Sequence, residues 1–209
     1  MERQSTGISV TLPHIGSSMD KTSVTLLQRV KDPGDAQAWE EFFKLYYPLV
    51  MKYARIRGLR TSDAEEVAQE CMRSLATHMP HFEYSTSRGR FRNYLSTMVH
   101  NKIYDLLRRK HPPTAGGAAL DQVPAPEETE AMWDQVWLWE HLTYCIDRME
   151  SRCADHTMRA FRLYVLEGRP VEEVCQTLDL SANQVYLAKT RMIQRLRTEV
   201  RELVGNVLD

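Results

Sequence analysis

Apolar side chains recur every three or four residues through most of this chain, and nowhere do they alternate one by one. Trp39, Phe42, Phe43, Tyr46, Leu49, Val50, Tyr53 and Ala54 form one such series. Val67, Cys71, Leu75 and Met79 form a second, and Phe91, Tyr94, Leu95, Met98, Val99, Ile103 and Leu106 a third. That period puts each series on one side of an α-helix, and with no strand-like pattern anywhere it predicts an all-α fold. The punctuation agrees. A helix starts near Thr22 or Ser23 with Val24, Leu27 and Val30 on one side, and Asp32-Pro33-Gly34 stops it. Asp35 is placed to cap the next helix, which runs to Gly58. Ser62 and Glu65 form a capping-box signature for a third helix that ends at Pro80, and Arg108, Arg109 and Lys110 suit the C-terminus of a fourth.

Two stretches break the pattern. Residues 1–22 carry Gly7, Pro13 and Gly16 among Ser and Thr, which predicts a disordered tail. Between His111 and Glu130 stand Pro112, Pro113, Gly116, Gly117, Pro124 and Pro126, a composition that neither buries a core nor propagates a helix. Beyond it, Met132, Trp133, Val136, Trp137, Leu142 and Ile146 open a further helix, another spans about Ala154 to Leu166, and Glu167-Gly168-Arg169-Pro170 ends it. The expectation is two small helical domains, 23–111 and 132–209, joined by a flexible linker at 112–131.

The formal charge of -1 conceals a segregated distribution. Acids gather at Asp63 to Glu70 and Glu127 to Glu130, bases at Arg88 to Lys110 and Lys189 to Arg201, so a near-neutral total leaves nucleic acid open as a partner. No apolar run approaches the roughly 20 residues of a bilayer span, and the N-terminus has no basic region followed by an apolar one. A cytoplasmic protein with no membrane partner is expected. The 4 cysteines, Cys71, Cys145, Cys153 and Cys175, sit within helical patterns and read as reduced core thiols. Cys145, Cys153 and His156 lack the C-x-x-C pair of a zinc module, so neither metal nor cofactor is expected. No Gly-rich phosphate loop, H-E-x-x-H helix or nucleophile elbow is present, and His14, His78, His81, His100, His111, His141 and His156 are dispersed, which argues against an enzyme.

Three constellations carry chemistry. From Pro170 to Arg201 a short helix and a longer one flank a tight polar turn. Pro170 suits a first helical position, Glu172 and Glu173 complement the positive helix end, and Ser181 with Gln184 makes a second capping box. These are the proportions of a helix-turn-helix. On its second helix Val185, Ala188, Met192 and Leu196 can face a core, leaving Asn183, Gln184, Tyr186, Lys189, Thr190, Arg191 and Arg195 for base edges and phosphates; a solvated helical hairpin is the plainer alternative. The second constellation mixes aromatics and bases: Phe82, Tyr84, Arg88, Arg90, Phe91, Arg92 and Tyr94, then Asn93, Thr97, Asn101, Arg108 and Arg109. Stacking rings beside guanidinium groups suit single-stranded DNA, although Phe91 and Tyr94 serve equally as core residues. The third is the acidic helix from Asp63 to Glu70, whose polar face presents Glu66, Gln69, Glu70 and Arg73; acids also simply favour a helix start.

In order and spacing, the segments Asp63 to Cys71, Phe91 to Arg109 and Pro170 to Arg197 resemble conserved regions two and four of the extracytoplasmic-function (ECF) sigma factors. The resemblance covers about 23–111 and 132–205. It implies that Asp63, Glu66, Gln69, Glu70 and Arg73 dock on the clamp helices of the largest subunit of RNA polymerase core. It further implies that Phe82, Tyr84, Arg88, Arg90, Arg92, Asn93, Thr97, Asn101, Arg108 and Arg109 bind the minus-ten element as melted non-template strand, with a flipped base held before Phe91. Asn183, Gln184, Tyr186, Lys189, Thr190, Arg191 and Arg195 would read the minus-thirty-five element as duplex, and an anti-sigma protein is a further implied partner. Three positions depart from the family: Tyr94 stands for a usual Trp, Asp179 for a turn Gly and Lys189 for an aliphatic core residue. Asp179 is therefore expected in a left-handed turn, and Lys189 either snorkelling or turned toward phosphate.

Overall fold

A computed structural model of the chain describes residues 24–82, 91–110, 126–150 and 152–204. Eight α-helices make up the described residues: α1 (Val24–Arg29), α2 (Ala36–Ile56), α3 (Thr61–His78), α4 (Phe91–Lys110), α5 (Pro126–Glu150), α6 (Asp155–Phe161), α7 (Val171–Leu178) and α8 (Ala182–Val204). A 3-10 turn (Met79–His81) follows α3 and a π-helical turn (Arg162–Leu166) follows α6. No strand occurs among the described residues, and the all-α expectation holds. The expected disordered tail at 1–22 lies outside the described residues, as does most of the expected linker.

Local signals account for the helix ends. The Asp35 carboxylate accepts the Ala38 N–H at 2.9 Å and takes a two-pronged ion pair from Arg29, which holds that carboxyl below the usual carboxylate range. At the far end of α2, Gly58 adopts φ 87, Leu59 N–H reaches the Ala54 carbonyl at 3.1 Å, and Gly58 N–H reaches Arg55 at 3.0 Å. Pro48 lies inside α2, where it removes one ladder bond at a cost of about 3 kcal/mol. The helix persists because Leu45, Tyr46, Leu49 and Val50 around it are all buried. The Ser62 capping box does not form. α3 starts two residues earlier than a Ser62 cap would place it, at Thr61 behind Arg60, and the Ser62 hydroxyl instead meets Asp63 at 3.4 Å.

The main core joins α2, α3 and α4 through Phe42, Tyr46, Tyr53, Val67, Cys71, Leu75, Phe91, Leu95 and Val99. Phe91 is fully packed, with ring centroids 5.8 Å from Phe42 and 5.2 Å from Tyr46, so it belongs to the core. Burial pushes the Cys71 thiol up to about 12, consistent with a packing role. α5 enters this same core. It begins at Pro126, within the stretch expected as linker, with Pro at a position where its missing N–H costs nothing. Trp133 and Trp137 are buried on it, Trp133 edge-on to Tyr53 at 4.9 Å and Trp137 5.7 Å from Tyr46. Each indole removes about 150–250 Å² from water, roughly 4–6 kcal/mol of driving force at most. Polar ties frame them: Lys52 to Glu140 at 2.9 Å, Arg148 to Glu41 at 3.9 Å, and an Arg92–Asp134 ion pair.

Two smaller cores follow. Met149 at the end of α5 packs with Met158, Phe161 and Met192, and Ala160, Val174, Val185 and Ala188 unite α6, α7 and α8. α5 is thus one helix whose first half fills one core and whose last turn starts another.

His141 lies buried on α5 between these two ends, its ring 4.3 Å from Trp137 and its Nδ1 within 2.7 Å of the Trp137 carbonyl. Burial drives its pKa down to about 4. Above the ordinary value of 6.5 both folded and unfolded chains hold it neutral, and its contribution is complete; between 6.5 and about 4 only the unfolded chain takes up the proton. Stability is therefore lost across that window as pH falls, by on the order of 3 kcal/mol at most. Urea midpoints at about pH 7.5 and about pH 4.5 should differ less in His141→Phe than in the wild type, and an equal acid loss in both would remove His141 as a cause. Trp137→Ala should cost about 3–5 kcal/mol in the same measurement; a loss under about 1 kcal/mol would mean that α5 is not seated in the main core.

Candidate nucleic-acid interface

The turn between α7 and α8 forms as its residues dictate. Asp179 takes φ 54 and ψ 49, the left-handed conformation expected of it, and Leu180 N–H closes the turn on the Cys175 carbonyl at 3.1 Å. Ser181 caps α8 reciprocally. Its backbone N–H donates to Gln184 Oε1 at 2.8 Å, and its Oγ accepts from the Gln184 N–H at 3.3 Å. Val185, Ala188, Met192 and Val200 are buried, with Ile193 and Leu196 partly so, which leaves the opposite side of the helix facing outward. Asn183, Gln184, Tyr186, Lys189, Thr190, Arg191 and Arg195 are all exposed. Arg195 is partly committed within the fold, since its Nη1 donates to the Arg152 carbonyl at 3.0 Å and lies 3.0 Å from Cys153 Sγ.

On α4, Asn93, Thr97, Asn101 and Arg108 are exposed along one face, spaced by one or two helical turns. Arg92 is corrected. Only 8% exposed and ion-paired to Asp134 of α5, it ties two helices together and does not offer its guanidinium to a strand. Phe82 is half-buried, its ring 6.0 Å from Phe91 and 5.1 Å from Tyr94, so it is less free than its place in a connector predicts. Tyr84, Arg88 and Arg90 lie outside the described residues.

The acidic helix α3 faces the basic end of α4. Glu66 accepts from Arg109 at 2.8 Å, and Glu70 lies 2.9 Å from Arg73 and 3.8 Å from Lys102. Asp63 also needs correction: it is 9% exposed and pairs with Lys110, whose ammonium is the main cause of a carboxyl held below the usual range. Asp63 therefore joins α3 to α4, while Glu66, Gln69, Glu70 and Arg73 keep an outward face. The acids expected to dock on one partner are thus neutralised by bases from the helix expected to meet another.

Sequence reasoning passed over three residues that the geometry brings forward. Tyr104 is 45% exposed on the same α4 face as Thr97, Asn101 and Arg108, and an aromatic interrupting a polar stripe was the available signal. Lys102 and Lys110 stood in the basic run, but only the fold pairs them with Glu70 and Asp63.

Residues 42–112 match the family Sigma-70 region 2, a span that takes in most of α2, all of α3 and all of α4. Over 187 residues, covering 85% of this chain and 96% of the relative, the sequence is 26% identical to the ECF RNA polymerase sigma factor ShbA of Streptomyces griseus subsp. griseus. Among the described residues no helix is long and apolar enough to cross a membrane.

The left-handed turn yields a direct stability test. Asp179→Gly should stabilise the chain by about 0.5–1 kcal/mol in chemical denaturation, because glycine adopts that backbone without a Cβ clash. A destabilised variant would show that the Asp179 side chain supports the turn by contacts that outweigh its strain.

Proposed function

We propose that this chain, whose family match and relative support an ECF sigma factor, brings RNA polymerase core to its promoters and divides their recognition between two helical units. Sigma factors serve transcription initiation with core polymerase and promoter DNA, and the chain is read as a non-catalytic member of that machinery. In the unit at 23–111, Glu66, Gln69, Glu70 and Arg73 of α3 dock on the clamp helices of the largest subunit, with Asp63 bracing α3 against α4. Asn93, Thr97, Asn101, Arg108 and Arg109 of α4, with Phe82, Tyr84, Arg88 and Arg90 before it, meet the melted non-template strand of the minus-ten element. In the unit at 132–209, α8 enters the major groove of the minus-thirty-five element, where Asn183, Gln184 and Arg191 can reach base edges.

One observation carries the reading: a doubly capped turn followed by a helix whose outward face consists of hydrogen-bonding and cationic groups. A free-standing duplex-binding regulator would use the same turn. It would leave unexplained the polar stripe of α4 and the outward acids of α3.

Run-off transcription with reconstituted polymerase decides between them, because a sigma factor is required for initiation whereas a regulator only modulates it. Transcripts should depend on the chain. Arg191→Ala should weaken upstream recognition by about 1–3 kcal/mol and leave core binding unchanged, while Glu66→Lys with Glu70→Lys should abolish core binding and spare duplex affinity. A chain that neither binds core nor supports initiation would sink the proposal.

A further inference from the structure

Tyr164 lies in the π-helical turn after α6, where the extra residue is marked by Glu167 N–H bonding back to the Arg162 carbonyl at 2.9 Å. Its ring is half-buried against the core that joins α6, α7 and α8. From there it touches two side chains of α8. The Tyr186 ring stands edge-on to it at 5.8 Å, and the Lys189 ammonium lies 5.5 Å from its centroid. Tyr186 and Lys189 are three residues apart and therefore adjacent on the helix surface, to one side of the buried stripe of Val185, Ala188 and Met192. Tyr186, three residues from Asn183 and four from Thr190, borders the outward face, whereas Lys189 stands on the flank away from Arg191.

Both are exposed, and among the described residues no carboxylate pairs with Lys189. A lysine on the flank of such a helix has a long stem and many rotamers. An aromatic face beneath it restricts them, and the ammonium keeps its donors for an external acceptor. An ammonium and a phenol beside each other, at the edge of the face that confronts base edges, suit the phosphate oxygens along the groove wall. This also accounts for a charged residue where an aliphatic one would pack: Lys189 is exposed, and its ammonium rests beside the Tyr164 ring and outside the core.

We infer that Tyr164 is a positioning residue for DNA binding, holding Tyr186 and Lys189 on one flank of α8 as a pair of backbone-phosphate contacts. The inference rests on reading α7 and α8 as the duplex-binding module. Phosphate contacts carry no sequence information, so the pair sets affinity and salt dependence while Asn183, Gln184 and Arg191 set sequence preference.

The test uses the full chain bound to core polymerase and a promoter duplex recovered by that complex from a random-sequence pool. Lys189→Ala should reduce the slope of log affinity against log salt by about 1 and weaken all duplexes alike. Tyr164→Leu should weaken binding about two- to fivefold, Tyr164→Phe should restore it, and the Tyr164→Leu loss should shrink once Lys189 is Ala, to the part that Tyr186 carries. A Lys189→Ala slope equal to that of the wild type overturns the inference, as does a Tyr164→Leu loss that persists undiminished in the Lys189→Ala chain. Should Tyr164→Leu unfold the C-terminal helices, the Lys189→Ala slope decides alone. A pool that yields no preferred duplex sinks the sigma-factor reading and this inference with it; a preferred duplex with an unchanged slope sinks only the phosphate pair.

Discussion

Burial of two indoles governs how the helices of this chain come together. Trp133 and Trp137 seat α5 on α2, where Tyr53 and Tyr46 receive them edge-on or tilted, and Trp133 also comes within 6.4 Å of His100 on α4. Since an aromatic of that size dominates local packing energy, the neighbouring polar contacts follow from its placement. Asp134 arrives beside Arg92, Glu140 beside Lys52, and His141 is carried into an environment that keeps it neutral. Neither ion pair could assemble the interface by itself, because in each one partner, Asp134 or Lys52, stands well exposed to water, which weakens the pair.

The charges show a second kind of economy. Acids on α3 and bases on α4 are matched across the groove between the helices, at Asp63 with Lys110, Glu66 with Arg109 and Glu70 with Lys102. The segregation visible along the chain thus becomes local compensation in space. Gln69 and Arg73 on one helix, and Asn101 and Arg108 on the other, retain exposed surface beside the matched pairs.

What could be read from the sequence was whatever depends on neighbours within a turn or two. Asp35, Ser181 with Gln184, and Asp179 behave as expected because a cap or a left-handed turn is a property of four or five consecutive residues. The all-α class followed from periodicity for the same reason. Periodicity says that a face is buried without saying against what, so the seating of α5 on α2 and α4 stayed hidden. Arg92 and Asp63 carried charges in plausible binding segments, and only long-range geometry removes them from the surface. Ser62 shows the opposite limit: a local signature lost to a helix that begins two residues sooner.

The placement of tryptophan has an optical consequence. Of 4 tryptophans in the chain, α5 carries Trp133, Trp137 and Trp139, the first two dry and the third 59% exposed beneath Lys52. Indole emission moves to longer wavelength in contact with water. The ultraviolet fluorescence of the unlabelled protein is therefore dominated by this one helix, and a red shift on adding a partner would report that α5 had left its seat.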